Sequence, residues 1–349
     1  MPSTAVVKVG TSSITSDTGA IDDVALAKLC SEISSARERG HEVVLVSSGA
    51  IAAGLPALGL TNPPADVATL QALAAIGQPL LMARFGAILG EHGLLGGQVL
   101  LTSHDFGVRS QYLHARDTLR RLVDLGVVPV VNENDTVADD EIRYGDNDRL
   151  AALVSHLVHA DVLVLLTDTP GLFTADPRLD DEASLIEEIV ELDATLEAVA
   201  GGTGTARGSG GMASKLAAAK IAAWSGVRAV IAGARVPNVI VDAIEGRAVG
   251  TVVRPRPERL PSRKLWIAFA RGASGRIVVD DGARRALCRD NRSLLPAGVR
   301  DVDGAFEADD AVEIVDLERR PFAKGLVRYS AASLRSVAGR RTADLPEGL

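Results

Sequence analysis

The feature that most constrains the fold is a repeated pattern in the first 250 residues: short apolar runs, each followed by a segment of helical periodicity. Thr4–Val9 (TAVVKV) and Glu42–Ser47 (EVVLVS) read as strands, as do Gln98–Leu101, Val127–Val131, Val162–Leu166 and Ala229–Ala232. These runs are apolar on both faces, which suits strands covered from both sides. After the first strand, Asp22 is placed to cap a helix that Gly40 stops. Leu26, Leu29, Cys30 and Ile33 lie on one face of that helix. Ser110–Leu125 is a further helix, closed by Gly126. Strands alternating with helices predict an α/β unit, a mostly parallel sheet sandwiched between helices.

The rhythm breaks at Thr251–Arg263 (TVVRPRPERLPSR), which carries three prolines and four arginines. Proline lacks a backbone donor and restricts the residue before it, so regular structure is not expected there. Beyond it, short β-like runs punctuated by glycine follow: Trp266–Ala270, Arg276–Val279 and Ala311–Val315. The expected organisation is a first domain over 1–253, a linker over 254–263 and a small, mainly β domain over 264–349. Two domains agree with 349 residues at roughly 150 per domain.

Charge and cysteine content exclude several classes. The net charge is −8, which disfavours non-specific coating of nucleic acid. It is unevenly spread, at −13 over residues 1–250 and +5 over 251–349. Cys30 and Cys288 stand far apart with no metal-type spacing, so a reducing cytoplasm is expected. No signal peptide is expected at the start. No uninterrupted apolar run of about 18 residues occurs, so no membrane span is expected either.

In an open α/β sheet, ligands bind beyond the carboxyl ends of the strands. The polar clusters expected there are Lys8-Val9-Gly10-Thr11, Ser47-Ser48-Gly49-Ala50, Asn132-Glu133-Asn134-Asp135 and Thr167-Asp168, with Gly145-Asp146-Asn147-Asp148 opening a helix. The first two are small-residue turns whose backbone N–H groups suit an anion. Gly201–Lys215 has six glycines in its first eleven positions and then enters a helix. Its backbone can approach a polyphosphate closely, and Lys215 lies in the first helical turn. No Gly-x4-Gly-Lys-[Ser/Thr] loop occurs, and no Gly-x-Gly-x-x-Gly opens the helix after strand one. Only six lysines stand against 31 arginines, yet Lys8 and Lys215 both fall in candidate phosphate loops. The Asp135, Asp146, Asp148, Asn132, Asn134 and Asn147 cluster suits a small zwitterion, and equally suits capping and turns. Asp139, Asp140 and Glu141 read as a solvated acidic run. His156 and His159 read as solvated or as partners of a helix C-terminus, and Trp224 and Trp266 as core.

These residues resemble the glutamate 5-kinase family. The matching segments, in matching order, are Val6-Val-Lys-Val-Gly-Thr-Ser12, Val46-Ser-Ser-Gly-Ala-Ile-Ala-Ala-Gly54, Asn132-Glu-Asn-Asp-Thr-Val137, Gly145-Asp-Asn-Asp-Arg-Leu150, Leu166-Thr-Asp168, Gly171-Leu-Phe-Thr-Ala-Asp-Pro177 and Gly210-Gly-Met-Ala-Ser-Lys215. The tail resembles a PUA domain at Gly275–Ala283, Ser293–Gly298 and Ala323–Ser330. It separates the resemblance from acetylglutamate kinase, aspartokinase and uridylate kinase. Ser209 and Ser47 stand where the family commonly has threonine.

The resemblance implies an amino acid kinase fold with a PUA-like tail, and transfer of the ATP γ-phosphoryl group to the side-chain carboxylate of L-glutamate in proline biosynthesis. It implies catalytic roles for Lys8, Lys215 and Asp148. Ser48, Asp135, Asn147 and Asn132 would bind glutamate. Lys8, Thr167, Asp168, Ser209, Gly210, Gly211, Met212, Ala213, Ser214 and Lys215 would bind ATP. Mg²⁺ would be held mainly by the ATP phosphates, with no protein metal site. A homo-oligomer and feedback by proline also follow from the resemblance. Two other readings remain at this level: a relative acting on a different acid, such as N-acetylglutamate or aspartate, and an RNA-binding protein. Against the latter, aromatics amount to only 3%, where RNA readers usually offer stacking platforms.

Overall fold

The computed structural model describes residues 2–16, 19–138, 146–177, 179–180, 182–190, 211–265, 267–268, 273–290 and 292–340. The chain divides into two compact units, Met1–Leu260 and Pro261–Leu349.

The first unit is built on strands β1 (Thr4–Lys8), β2 (Glu42–Val46), β3 (Gly96–Leu101), β4 (Val128–Glu133), β5 (Val162–Thr167), β6 (Glu188–Ile189), β7 (Arg228–Gly233) and β8 (Thr251–Val253). Its helices are α1 (Asp23–Glu38), α2 (Ala50–Gly54), α3 (Val67–Glu91), α4 (Arg109–Asp124), α5 (Asp146–Val158), α6 (Met212–Trp224) and α7 (Val239–Glu245). The strand order is β3-β4-β2-β1-β5-β7-β8-β6. All pairings are parallel except β7 with β8. Parallel pairing brings the carboxyl ends of β4, β2, β1 and β5 to one edge, which therefore collects the expected polar clusters.

The apolar runs form strands because both faces are covered. Ala5 and Val7 join one core with Leu26, Leu29 and Ile33 of α1, Leu81 and Phe85 of α3, and Ile240 of α7. Val6 is also fully buried and faces the opposite layer, where α5 packs on β1. Asp22 caps α1, accepting hydrogen bonds from the Val24 and Ala25 N–H groups. One expectation is corrected. Thr251–Val253 is a strand, because its β-branched run precedes the first proline and the fully buried Thr251 hydroxyl accepts the Leu172 N–H at 2.8 Å.

Among the described residues, α3 is the one helix long and apolar enough to cross a membrane by length and composition alone. Leu70, Leu73, Leu81, Phe85 and Leu89 point it into the protein's own interior.

The second unit pairs β9 (Gly275–Val279), β10 (Val299–Gly304), β11 (Ala311–Val315) and β12 (Pro321–Leu326) in the order β10-β9-β11-β12. Helices α8 (Asp281–Cys288) and α9 (Ala331–Val337) accompany them. It has its own core, which includes Ile277, Val279, Val302, Phe306, Ile314 and Leu334.

Candidate active site

Lys8 is the last residue of β1, a strand embedded between β2 and β5. That position leaves the residue 4% exposed. Its ammonium lies 2.8 Å from Oδ1 of Asp148, whose side chain is fully buried in the first turn of α5. The other oxygen of the same carboxylate, Oδ2, lies 3.3 Å from the Lys215 ammonium and accepts the Ser214 hydroxyl at 2.6 Å. Lys215 and Ser214 belong to the first turn of α6, which packs against α5. Two lysines separated by more than 200 residues therefore share one aspartate.

Burial pushes the Lys8 ammonium below the ordinary lysine range, and Lys215 adds to the drop while Asp148 opposes it. For Asp148, burial acts to raise the carboxyl, but the two lysines and the hydrogen bonds from Lys8 and Ser214 outweigh it. Its carboxyl accordingly sits below the usual carboxylate range. Two lysines and one aspartate, all three buried, thus converge at this point. Two cationic side chains brought to one place suit an anionic ligand.

The N-cap of α6 is Gly211, which provides no side-chain cap. Backbone N–H groups at such a helix start are suited to an anion. Met212 is half-buried and Ala213 exposed beside it. Thr167 ends β5, and its hydroxyl donates to the exposed Asp168 at 3.1 Å. Ser209 and Gly210 lie outside the described residues, as do Gly145 and the Asp139-Asp140-Glu141 run.

A second group gathers at the ends of β2 and β4. The Asn147 amide donates from Nδ2 to Ser48 Oγ at 3.0 Å and to Asn132 Oδ1 at 3.1 Å. Asn147 Oδ1 is buried and, among the described residues, accepts no hydrogen bond. The Ser48 hydroxyl accepts from Asn147, so its own proton remains to be donated. Gly49 follows with φ +96°, a left-handed conformation that glycine takes without strain. Asn132 is 1% exposed and lies behind Asn147. Asp135 sits on the turn Asp135–Val137 just beyond β4, against α3.

The structure thus joins Lys8, Asp148, Ser214 and Lys215 in one cluster, and Ser48, Asn147 and Asn132 in another; Asn147 and Asp148 are chain neighbours. Sequence reasoning missed Gln78 of α3, which is 8% exposed and accepts the Asn132 Nδ2 at 2.8 Å. A glutamine within an apolar helical run is the one signal that could have found it. One further expectation is corrected. Trp224 is half-buried under the Arg256 guanidinium, 3.9 Å from the ring centre, because α6 ends at the surface. His156 is half-buried in the last turn of α5, as its reading at a helix C-terminus allows. Burial, with lesser contributions from His159 and Arg259, lowers its imidazole to about 4. Trp266 lies outside the described residues.

The profile of the Amino acid kinase family matches residues 3–233, and that of the PUA domain matches 275–349. The chain is 48% identical over 335 residues to the glutamate 5-kinase of Pseudomonas entomophila, covering 96% of this chain and 90% of that one. It is 46% identical over 342 residues to the glutamate 5-kinase of Moorella thermoacetica, covering 98% and 90%. It is 47% identical over 341 residues to that of Mycolicibacterium vanbaalenii, covering 98% and 92%. At this identity over nearly its full length, with the lysine–aspartate cluster at the carboxyl edge of an amino acid kinase sheet, the chain belongs to the glutamate 5-kinase family.

Proposed function

We propose that the chain transfers the γ-phosphoryl group of ATP to the side-chain carboxylate of L-glutamate, giving L-glutamyl 5-phosphate and ADP in the first step of proline biosynthesis. The observation that carries this reading is the shared aspartate: Lys8 and Lys215 each contact one of its two oxygens.

The chemistry asks little of a base. A side-chain carboxylate is already ionised near neutral pH. One of its oxygens attacks the γ-phosphorus while the bond to the bridging oxygen breaks, and that electron pair leaves with ADP. The barrier lies in bringing two anions into line. Lys8 and Lys215 lower it by facing the transferring group, where charge develops. Asp148 fixes the spacing of the two ammonium groups. Met212, Ala213 and Lys215, with Ser209, Gly210 and Gly211, form the nucleotide side together with Thr167 and Asp168. Ser214 acts there through its bond to Asp148.

On the acceptor side, Asn147 Oδ1 offers an acceptor to the α-ammonium group and the Ser48 hydroxyl offers a donor to the α-carboxylate. Asp135 adds a carboxylate for the ammonium. Among the described residues, no group of three or more His, Cys, Asp or Glu is placed to hold a metal ion. A Mg²⁺ carried by the nucleotide phosphates would supply further charge neutralisation.

The same reading makes the enzyme a cytoplasmic homo-oligomer with proline as feedback inhibitor. RNA binding by the second unit is not favoured. Arg276, Arg284, Arg300, Arg319 and Arg320 each pair with carboxylates of that unit, so much of its positive charge is neutralised internally. The test is ADP release with ATP, Mg²⁺ and a panel of L-glutamate, L-aspartate and N-acetyl-L-glutamate. A preference for an acid other than L-glutamate would overturn the proposal.

A further inference from the structure

We infer that Gln78 is a positioning residue for the acceptor amino acid, acting through a one-directional relay of amides that aims Asn147 Oδ1 into the site. The inference deepens the glutamate reading and rests on it.

The relay has a fixed polarity, anchored by the backbone. The Glu133 N–H can only donate, and it lies 2.9 Å from Asn132 Oδ1. That identifies the oxygen of the Asn132 amide, since the reverse orientation would set two donors against each other. Asn132 Nδ2 must then face Gln78, whose Oε1 accepts it at 2.8 Å. Gln78 Nε2 is turned toward Gln98 Oε1, on the exposed edge strand β3, and donates at 3.0 Å. On the other side, the Asn132 oxygen can be met only by a donor, so Asn147 presents Nδ2 at 3.1 Å. Asn147 Oδ1 is left facing the opposite way, buried and, among the described residues, without a partner. A buried polar atom with no partner in an otherwise satisfied network marks the place where a ligand completes it.

Gln78 reaches this network because two helices approach closely beside it. A Cβ at the neighbouring Gly77 would stand 1.8 Å from the Ala50 carbonyl oxygen, and one at Gly54 would stand 2.3 Å from the Leu73 carbonyl oxygen. Helix α2, which follows Ser48, is therefore pressed against the turn of α3 that carries Gln78. If Gln78 loses its acceptor oxygen, Asn132 Nδ2 becomes an unpaired buried donor. The amide then gains by turning, and Asn147 loses the partner that holds it. Lys8, Asp148 and Lys215 make none of these bonds, so the nucleotide side is left intact.

The experiment compares Gln78→Met, which keeps the length but removes the acceptor, with Gln78→Glu, which keeps an acceptor for Asn132. Glutamate-dependent ADP release by the unaltered chain is measured first; its absence overturns the glutamate reading and this inference together. With that activity present, Gln78→Met is expected to raise KM for glutamate about tenfold, the scale of one buried donor left unpaired. KM for ATP should stay within about twofold, because the relay does not reach the lysine cluster. Gln78→Glu should recover most of the loss. In an Asn147→Ala background, Gln78→Met should raise KM no further, since the residue it acts through is gone. Gln98→Met, on the exposed edge strand, tests the relay even if Gln78→Met does not fold, with an expected rise of about threefold. The inference is overturned by an unmoved glutamate KM in the Gln78→Met and Gln98→Met variants, by an equal rise for ATP, or by a Gln78→Met penalty that persists in full without Asn147.

Discussion

At the scale of single residues, the proposed mechanism rests on the cluster of Lys8, Asp148 and Lys215. Replacing Lys8 or Lys215 with Ala should lower kcat by about 10² or more, comparable to losing one donor to a developing anion, as single-turnover phosphoryl transfer would show. Asp135→Ala should raise KM for glutamate far more than for ATP, and equal effects would count against its place on the acceptor side. Lys8 titrates below the ordinary lysine range. As pH rises through that folded value, kcat should fall if Lys8 has the proposed role, whereas stability should rise, because there the unfolded chain holds the proton that the folded chain has released. Asp148→Asn removes the charge that supports the Lys8 ammonium, so the alkaline limb of the kcat profile should move to lower pH. An unmoved limb would show that Lys8 does not control it. His156 gives a separate acid effect. Its imidazole is lowered to about 4, so stability is full above the ordinary histidine value of about 6.5 and is lost as pH falls toward 4. His156→Gln should lessen that loss of thermal stability across the window, the remainder including His159, which burial also lowers; Asp148, held below the usual carboxylate range, titrates under it.

At the scale of elements, α3 carries the sharpest contrast. Gly77→Ala would push a methyl group against the Ala50 carbonyl, forcing α2 and α3 apart. A loss of about 3 kcal/mol in denaturant unfolding is expected, the upper range for overpacking, with a raised glutamate KM because α2 follows Ser48. Gly86 lies on the exposed side of the same helix, and a methyl group added there would meet nothing within 4 Å. Gly86→Ala should therefore gain up to about 1 kcal/mol from helix propensity. This element also marks how far the sequence could be read. The buried strands, α1 with its Asp22 cap and the polar strand ends were legible, because burial on both faces and capping leave local signatures. Gln78 was not, since its role depends on Asn132, 54 positions away, and on the packing of α2. The Ser214–Asp148 bond likewise joins residues 66 apart and becomes visible only when α5 and α6 are side by side. The two-residue strand β6 carries too few residues for any periodicity, and Thr251–Val253 was obscured by the prolines that follow it. Trp224 was misread because aromatic character alone does not say which helix end reaches the surface.

At the scale of the whole molecule, every described residue assigned to ATP or glutamate lies in Met1–Leu260, and each unit has a core cluster made of its own residues. A chain ending at Leu260 should therefore retain kcat within about threefold, as the folding of separate cores implies. A loss of about 10² in steady-state assays would assign the second unit a part in turnover. The account's central claim is that Lys8 and Lys215, held on one aspartate, neutralise the charge of a phosphoryl group moving to a carboxylate. Its most direct test is ADP release by the full chain with ATP, Mg²⁺ and L-glutamate, measured for the unaltered protein and for Lys8→Ala and Lys215→Ala. The account predicts glutamate-dependent release that falls by about 10² or more in each variant. Near-normal turnover in both, or release that does not depend on glutamate, would contradict it.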